Sequence, residues 1–204
     1  MPESAQTHRT LARVLLAAAV VAAADLADAI VAWVVILQRS TVQRVLQAIA
    51  AGLLGPASFR GGWNSALLGL ALHCCIALGW TLVFLAVLER WRRLQTWVST
   101  GRGRVAVGLA YGALVWLLMA FVVLPLSRAR VPSPTTPWFW VQLATHPFVV
   151  GLPIVGILAT GARRRAAVAG RSSHSPRGGA SAAAPSGRRR RASRLHGPPP
   201  AAEK

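Results

Sequence analysis

Four blocks of the chain, at about residues 14–37, 65–88, 105–124 and 138–160, are apolar from end to end and nearly free of charge. A helix rises 1.5 Å per residue, so about 20 residues cross the ~30 Å hydrocarbon core of a bilayer. A soluble domain of 204 residues would interrupt its apolar runs with polar faces far more often; here 54% of the residues are hydrophobic and they come in blocks. Lipid leaves no water to satisfy backbone groups, so such blocks must be helical. The expected fold is all-α: a four-helix transmembrane bundle over residues 1–161, followed by a disordered tail over 162–204. The first block follows Arg9 and Arg13 and superficially resembles a signal peptide. A signal core is only ~7–15 residues long, so the block is read as a retained span.

The connections carry their own signals. Thr41 to Gly55 holds an apolar run too short to span, with Val45, Leu46, Ile49 and Leu53 at helical spacing. A short amphipathic helix, interfacial or re-entrant, is expected there between the first two spans. Gly55-Pro56 ends it. Trp63, Trp91, Trp97, Trp138 and Trp140 fall at the edges of the blocks, where an aromatic belt would put them.

Charge is distributed with equal clarity. The formal net charge is +18, and the 23 basic residues are all Arg except Lys204. Nearly half of them follow Gly161, in a segment of Ala, Gly, Ser, Pro and Arg that lacks the apolar side chains needed to fold. Arg163, Arg164, Arg165 and Arg188, Arg189, Arg190, Arg191 are expected to contact anionic lipid head groups, at about 1 kcal/mol for each residue near the surface. A specific nucleic-acid partner would require a folded basic domain, which the pattern does not contain.

Two carboxylates stand out against this background. Asp25 and Asp28 lie inside the first block, where a charged group costs roughly 2.5–3.5 kcal/mol and needs a partner or a proton. Their i, i+3 spacing puts them on one helix face, which Ala18, Ala22, Ala29 and Ala32 extend as a stripe of small side chains. The other ionisable groups inside the blocks are His73 and His146. Counting 1.5 Å per residue from the ends of the blocks places Asp25 and Asp28 about 18 and 13 Å deep, and both histidines about 12 Å deep. Asp25, Asp28, His73 and His146 are therefore expected to form one intramembrane polar cluster.

The second block offers two small-residue stripes, Gly69–His73–Ala77 and Ala71–Cys75–Gly79, and adjacent Cys74 and Cys75 read as small apolar side chains within the bundle. In the third block Gly108 and Gly112 form a G-x-x-x-G pattern that permits close helix packing.

The cluster admits several roles. It can fix packing through hydrogen bonds between helices, worth ~0.6–2 kcal/mol each. It can also relay protons or ions. Two Asp and two His are ligand types for a divalent metal, and two His can hold a haem, but no Glu-x-x-His pair accompanies them, and no metal or cofactor is assigned. No G-x-S-x-G, H-E-x-x-H or phosphate-cradling glycine loop is present, so no enzyme is expected. The expected role is structural packing or assembly. The alternative is a small proton-coupled or ion-conducting transporter, which at this size would need to form a homo-oligomer to surround a path.

The run Val45-Leu-Gln-Ala-Ile-Ala-Ala-Gly-Leu-Leu-Gly-Pro-Ala-Ser-Phe-Arg-Gly-Gly62, with Ala66-Leu-Leu-Gly-Leu-Ala-Leu-His73, resembles a family of small bacterial integral membrane proteins with four spans and no assigned function. Tyr111 to Leu126, the Asp25/Asp28 pair and the His of the last span also look like theirs. The resemblance covers roughly residues 14–160 and omits the Arg-rich tail. It implies the bacterial inner membrane and implies no activity.

Four spans put the N-terminus, the loop carrying Arg90, Arg92, Arg93, Arg102 and Arg104, and the tail on one side, against Arg39, Arg44, Arg60, Arg128 and Arg130 on the other. The richer side is expected to be cytoplasmic. A reporter active only in the periplasm, fused after Lys204, should therefore stay silent; a strong signal would require an odd number of spans.

Overall fold

The computed structural model describes residues 2–160, which fold as an all-α bundle with no strand among them. Helix α1 (Pro2–Ile30) continues into a wider π-helical stretch, Val31–Ile36. Helix α2 (Val42–Leu54) is followed by a 3-10 segment, Gly55–Arg60, and then by α3 (Gly62–Arg90). A short α4 (Arg92–Ser99) precedes α5 (Gly101–Leu118), which continues as a π-helical stretch, Met119–Val123. Helix α6 (Pro137–His146) runs on through the π-helical stretch Pro147–Gly151, and its helical course ends at Thr160. Four stretches are long and apolar enough to cross a membrane: Ala5–Ile36, Gly62–Arg90, Gly101–Val123 and Pro137–Thr160. The tail from Gly161 on, including Arg163–Arg165 and Arg188–Arg191, lies outside the described residues.

Local chemistry sets the ends of these helices. The Thr41 hydroxyl accepts from the Arg44 N–H at 3.2 Å, and the Thr100 hydroxyl accepts from the Gly103 N–H at 3.0 Å, so each caps a helix start. Gly55 follows α2 with φ +63°, a conformation that disfavours a Cβ, and Pro56 prevents the helix from resuming. Pro147 has no N–H to extend the regular ladder of α6, and the helix widens from that residue.

Large apolar side chains cover the outer surface of the bundle. Leu67, Val83, Leu114, Phe121, Val141 and Phe148 are exposed and large. A soluble monomer rarely shows so continuous an apolar surface. The interior is built from smaller groups, with Ala17, Val21, Ala77, Val115, Ile154, Val155 and Ala159 packed around Phe84. The two small stripes of α3 part company. Gly69, His73 and Ala77 are buried in the bundle, whereas Ala71, Cys75 and Gly79 face outward. Cys74 is exposed as well, so both thiols lie on the outer surface of α3 and not within the bundle. Adjacent helical residues point about 100° apart, and the His73 side of α3 took the interior.

Helix α2 is seated in the bundle along α3. Val45, Leu46, Ala50 and Ala51 are buried, and a Cβ on Gly69 would overlap the carbonyl oxygen of Leu46. The amide of Gln47 donates to the Gly62 carbonyl at 2.9 Å and to the Ser65 hydroxyl at 3.2 Å, and Ser65 donates to the Ser58 carbonyl at 2.6 Å. This network pins the turn between α2 and α3. Helix α4, for which the basic loop gave no signal, is fastened by the Gln95 amide donating to the Leu88 carbonyl at 2.9 Å and by buried Val98.

Helices α5 and α6 meet through glycine. A Cβ on Gly112 would collide with the His146 carbonyl and Pro147, one on Gly108 would meet Leu152, and one on Gly151 would overlap the Gly108 carbonyl. Gly112→Leu should therefore force the pair apart and cost about 1–3 kcal/mol in a reversible unfolding assay. Gly79→Leu, at a position with nothing within 4 Å, should leave the midpoint unchanged. Equal effects of the two would refute this contact.

Candidate functional site

Asp25 is the hub of the polar cluster. Its Oδ1 lies 3.5 Å from Nε2 of His146 on α6, and its Oδ2 lies 3.9 Å from Nε2 of His73 on α3. One carboxyl on α1 thus faces imidazoles from two other helices. His73 is fixed by a second partner, since its Nε2 sits 3.0 Å from the Ala22 carbonyl oxygen. That oxygen can only accept, so Nε2 carries the hydrogen and donates it to α1. Ala22 lies three residues before Asp25 on the same small-residue face, and that small side chain leaves the backbone within reach of His73.

His146 is oriented the other way round. Its Nδ1 lies 3.1 Å from the Gln142 carbonyl one turn earlier, so Nδ1 is the donor there. Nε2 then faces the Asp25 carboxyl with a lone pair unless a further proton is present. Two bare acceptors would repel each other. A proton on either atom would join the two in a hydrogen bond. The indole of Trp116 on α5 covers the His146 ring, with centroids 4.8 Å apart. Trp116 is buried, and its Nε1–H has no hydrogen-bond partner among the described residues.

Asp28 takes a different partner. Its Oδ2 accepts from the Thr145 hydroxyl at 3.4 Å, and that hydroxyl also lies 3.1 Å from Oε1 of Gln142. The two aspartates share a helix face, but among the described residues only Asp25 lies within 4 Å of a histidine ring nitrogen. Gln142, Thr145 and Trp116 were not singled out in the sequence. Gln142 and Thr145 carried a signal, being polar residues inside a span at i−4 and i−1 from His146. A search confined to ionisable groups passes over them. Nothing in the sequence marked Trp116.

Asp25, His73, Gln142, His146 and Trp116 all line one cavity of about 1090 Å³ between the helices. The Asp25 side chain retains a quarter of its exposure, whereas the two histidines are nearly closed off. The remaining wall is largely apolar, with Val21, Leu26, Ala29, Leu72, Ile76, Val115 and Met119 among its residues. Arg39, Arg44, Arg128 and Arg130 also belong to the lining, at the end of the bundle where α1 leads to α2 and α5 leads to α6. Among the described residues, no group of three His, Cys, Asp or Glu side chains is arranged to hold a metal ion.

Further from the cluster, the Tyr111 hydroxyl on α5 donates to the Trp80 carbonyl on α3 at 2.6 Å, and its ring packs against Phe84 at 4.9 Å between centroids. Tyr111 ties α5 to α3 in the way His73 ties α3 to α1. Comparison of the chain with protein-family models, with curated proteins and with solved structures finds no match.

Proposed function

We propose that this chain is an integral membrane protein whose Asp/His cluster serves packing and assembly. The observation that carries this reading is the contact of one carboxyl, Asp25, with histidines from two different helices. Helices in lipid gain nothing from burying apolar surface against one another, so polar contacts and close packing must hold them together. The cluster supplies the polar contacts at mid-span, and the glycine contact of α5 with α6 supplies the close packing. We place the protein in a bacterial inner membrane with both termini in the cytoplasm. The support is the distribution of arginines and the resemblance to small four-span bacterial proteins. In that arrangement the basic tail lies over anionic head groups.

A second reading, a proton-coupled transporter, has one specific observation in its favour. Asp25 is open to the cavity, and its carboxyl lies 3.5 Å from Nε2 of His146, within reach for a proton taken up by one group to pass to the other. Such a transporter would act as an oligomer.

Substitution at Asp25 separates the two. Asparagine keeps the size and can donate to Nε2 of His146 without carrying charge. On the packing reading, Asp25→Asn retains stability, Asp25→Leu loses about 1–3 kcal/mol by leaving His146 without a partner, and proteoliposomes of the wild type show no proton flux above empty vesicles. Flux in the wild type that Asp25→Asn abolishes while the fold survives would establish transport and defeat the purely structural account.

A further inference from the structure

We propose that the cavity between the helices is a binding site for one anionic phospholipid, with an acyl chain inside and the phosphate at the arginine-bearing mouth. The inference depends on the membrane placement of the bundle and is independent of whether the Asp/His cluster moves protons.

Charge comes first. Arg39, Arg44, Arg128 and Arg130 are exposed and line the same cavity, Arg39 from the α1–α2 connection, Arg44 from the first turn of α2, and Arg128 and Arg130 from the α5–α6 connection. Among the described residues none of them forms an ion pair with an acidic side chain. The backbone fastens the α5–α6 connection to the C-terminal part of α2, since the Arg128 N–H donates to the Gly52 carbonyl at 2.9 Å. Exposed guanidinium groups lining one cavity favour a phosphate, which a neighbouring pair can clamp with paired hydrogen bonds.

Size and depth define the rest of the ligand. A volume of about 1090 Å³ is at the upper end of small-molecule sites and far beyond the need of a bare phosphate. Along α1 the lining runs from Trp33 to Val21, which is about 18 Å of helix. Half of a ~30 Å hydrocarbon core is about 15 Å, the depth reached by one leaflet's chains. The walls suit such a chain. Ala29, Leu72, Ile76 and Met119 are apolar, and Asp25, His73 and His146 make their polar contacts with one another and with backbone carbonyls. A neutral amphiphile would leave the arginines unanswered, and a soluble anion would leave the apolar depth empty.

The test uses the full-length protein in nanodiscs with a trace of phosphatidylglycerol bearing a photoreactive diazirine near the end of one acyl chain. Labelled peptides are mapped by mass spectrometry. The expected result is enrichment on the cavity walls, in peptides covering Val21–Ala29, Leu72–Trp80 and Val115–Val123, over the outward-facing Leu67 and Val83. The same probe built on phosphatidylcholine should label those walls at least about tenfold less, as should the Arg39→Gln/Arg44→Gln/Arg128→Gln/Arg130→Gln protein with the first probe. Ala29→Trp, which fills the cavity and leaves the arginines in place, should also remove the enrichment, and it decides the matter if the quadruple variant fails to fold. Glycerol phosphate, lacking chains, should not compete. Labelling spread evenly over the outer surface, equal labelling by the zwitterionic probe, or competition by glycerol phosphate would each overturn the proposal.

Discussion

A carboxyl group inside a bilayer has no water to turn to, and the arrangement of the bundle around Asp25 follows from that constraint. Its partners had to come from other helices, because beside small and apolar side chains α1 offers only a second carboxyl, Asp28, at that level. His73 from α3 and His146 from α6 meet it. Each of them is in turn anchored to a backbone carbonyl, one on α1 and one on α6 itself. The carbonyls fix which ring nitrogen carries hydrogen, Nε2 on His73 and Nδ1 on His146. A change at Ala22 or Gln142 would therefore be felt at Asp25 without touching it.

Polar contacts of this kind need helices that approach closely, and the approach is set by the absence of side chains. Gly69 lets the backbone of α2 lie on α3, and Gly112 lets α5 reach the widened stretch of α6 that begins at Pro147. The latter contact touches the carbonyl of His146, so the glycine packing and the polar cluster share a residue. Where α1, α2, α3, α5 and α6 do not close on one another, the cavity remains, with Asp25 on its wall and arginines at its mouth. Packing and any binding role are thus two consequences of one arrangement.

Much of this was legible in the residues. Block length and the lack of charge marked the four helices, because lipid permits few alternatives. The i, i+3 spacing marked the shared face of Asp25 and Asp28, and similar depth grouped His73 and His146 with them, although the count put Asp28 rather than Asp25 level with the histidines. Depth counted along a helix does not give azimuth, however. It could not tell that Asp25 would face both histidines while Asp28 turned to Thr145, nor that Cys75 would face outward while His73 faced in. Those outcomes depend on which side of α3 meets α1, a choice made by packing across the whole bundle. The partners supplied by backbone carbonyls were invisible for a similar reason, since every residue carries one. Helix α4 is eight residues long and held by a tertiary hydrogen bond from Gln95, so its local sequence had little to announce.

The claim on which this account rests is that Asp25 and His146 stabilise the bundle through each other. A double-mutant cycle with Asp25→Leu, His146→Leu and the pair, read by reversible unfolding in detergent, measures that coupling directly. A coupling of about 0.6–1.7 kcal/mol, the range found for hydrogen bonds between membrane helices, is the predicted result. Strict additivity of the two single effects would contradict it.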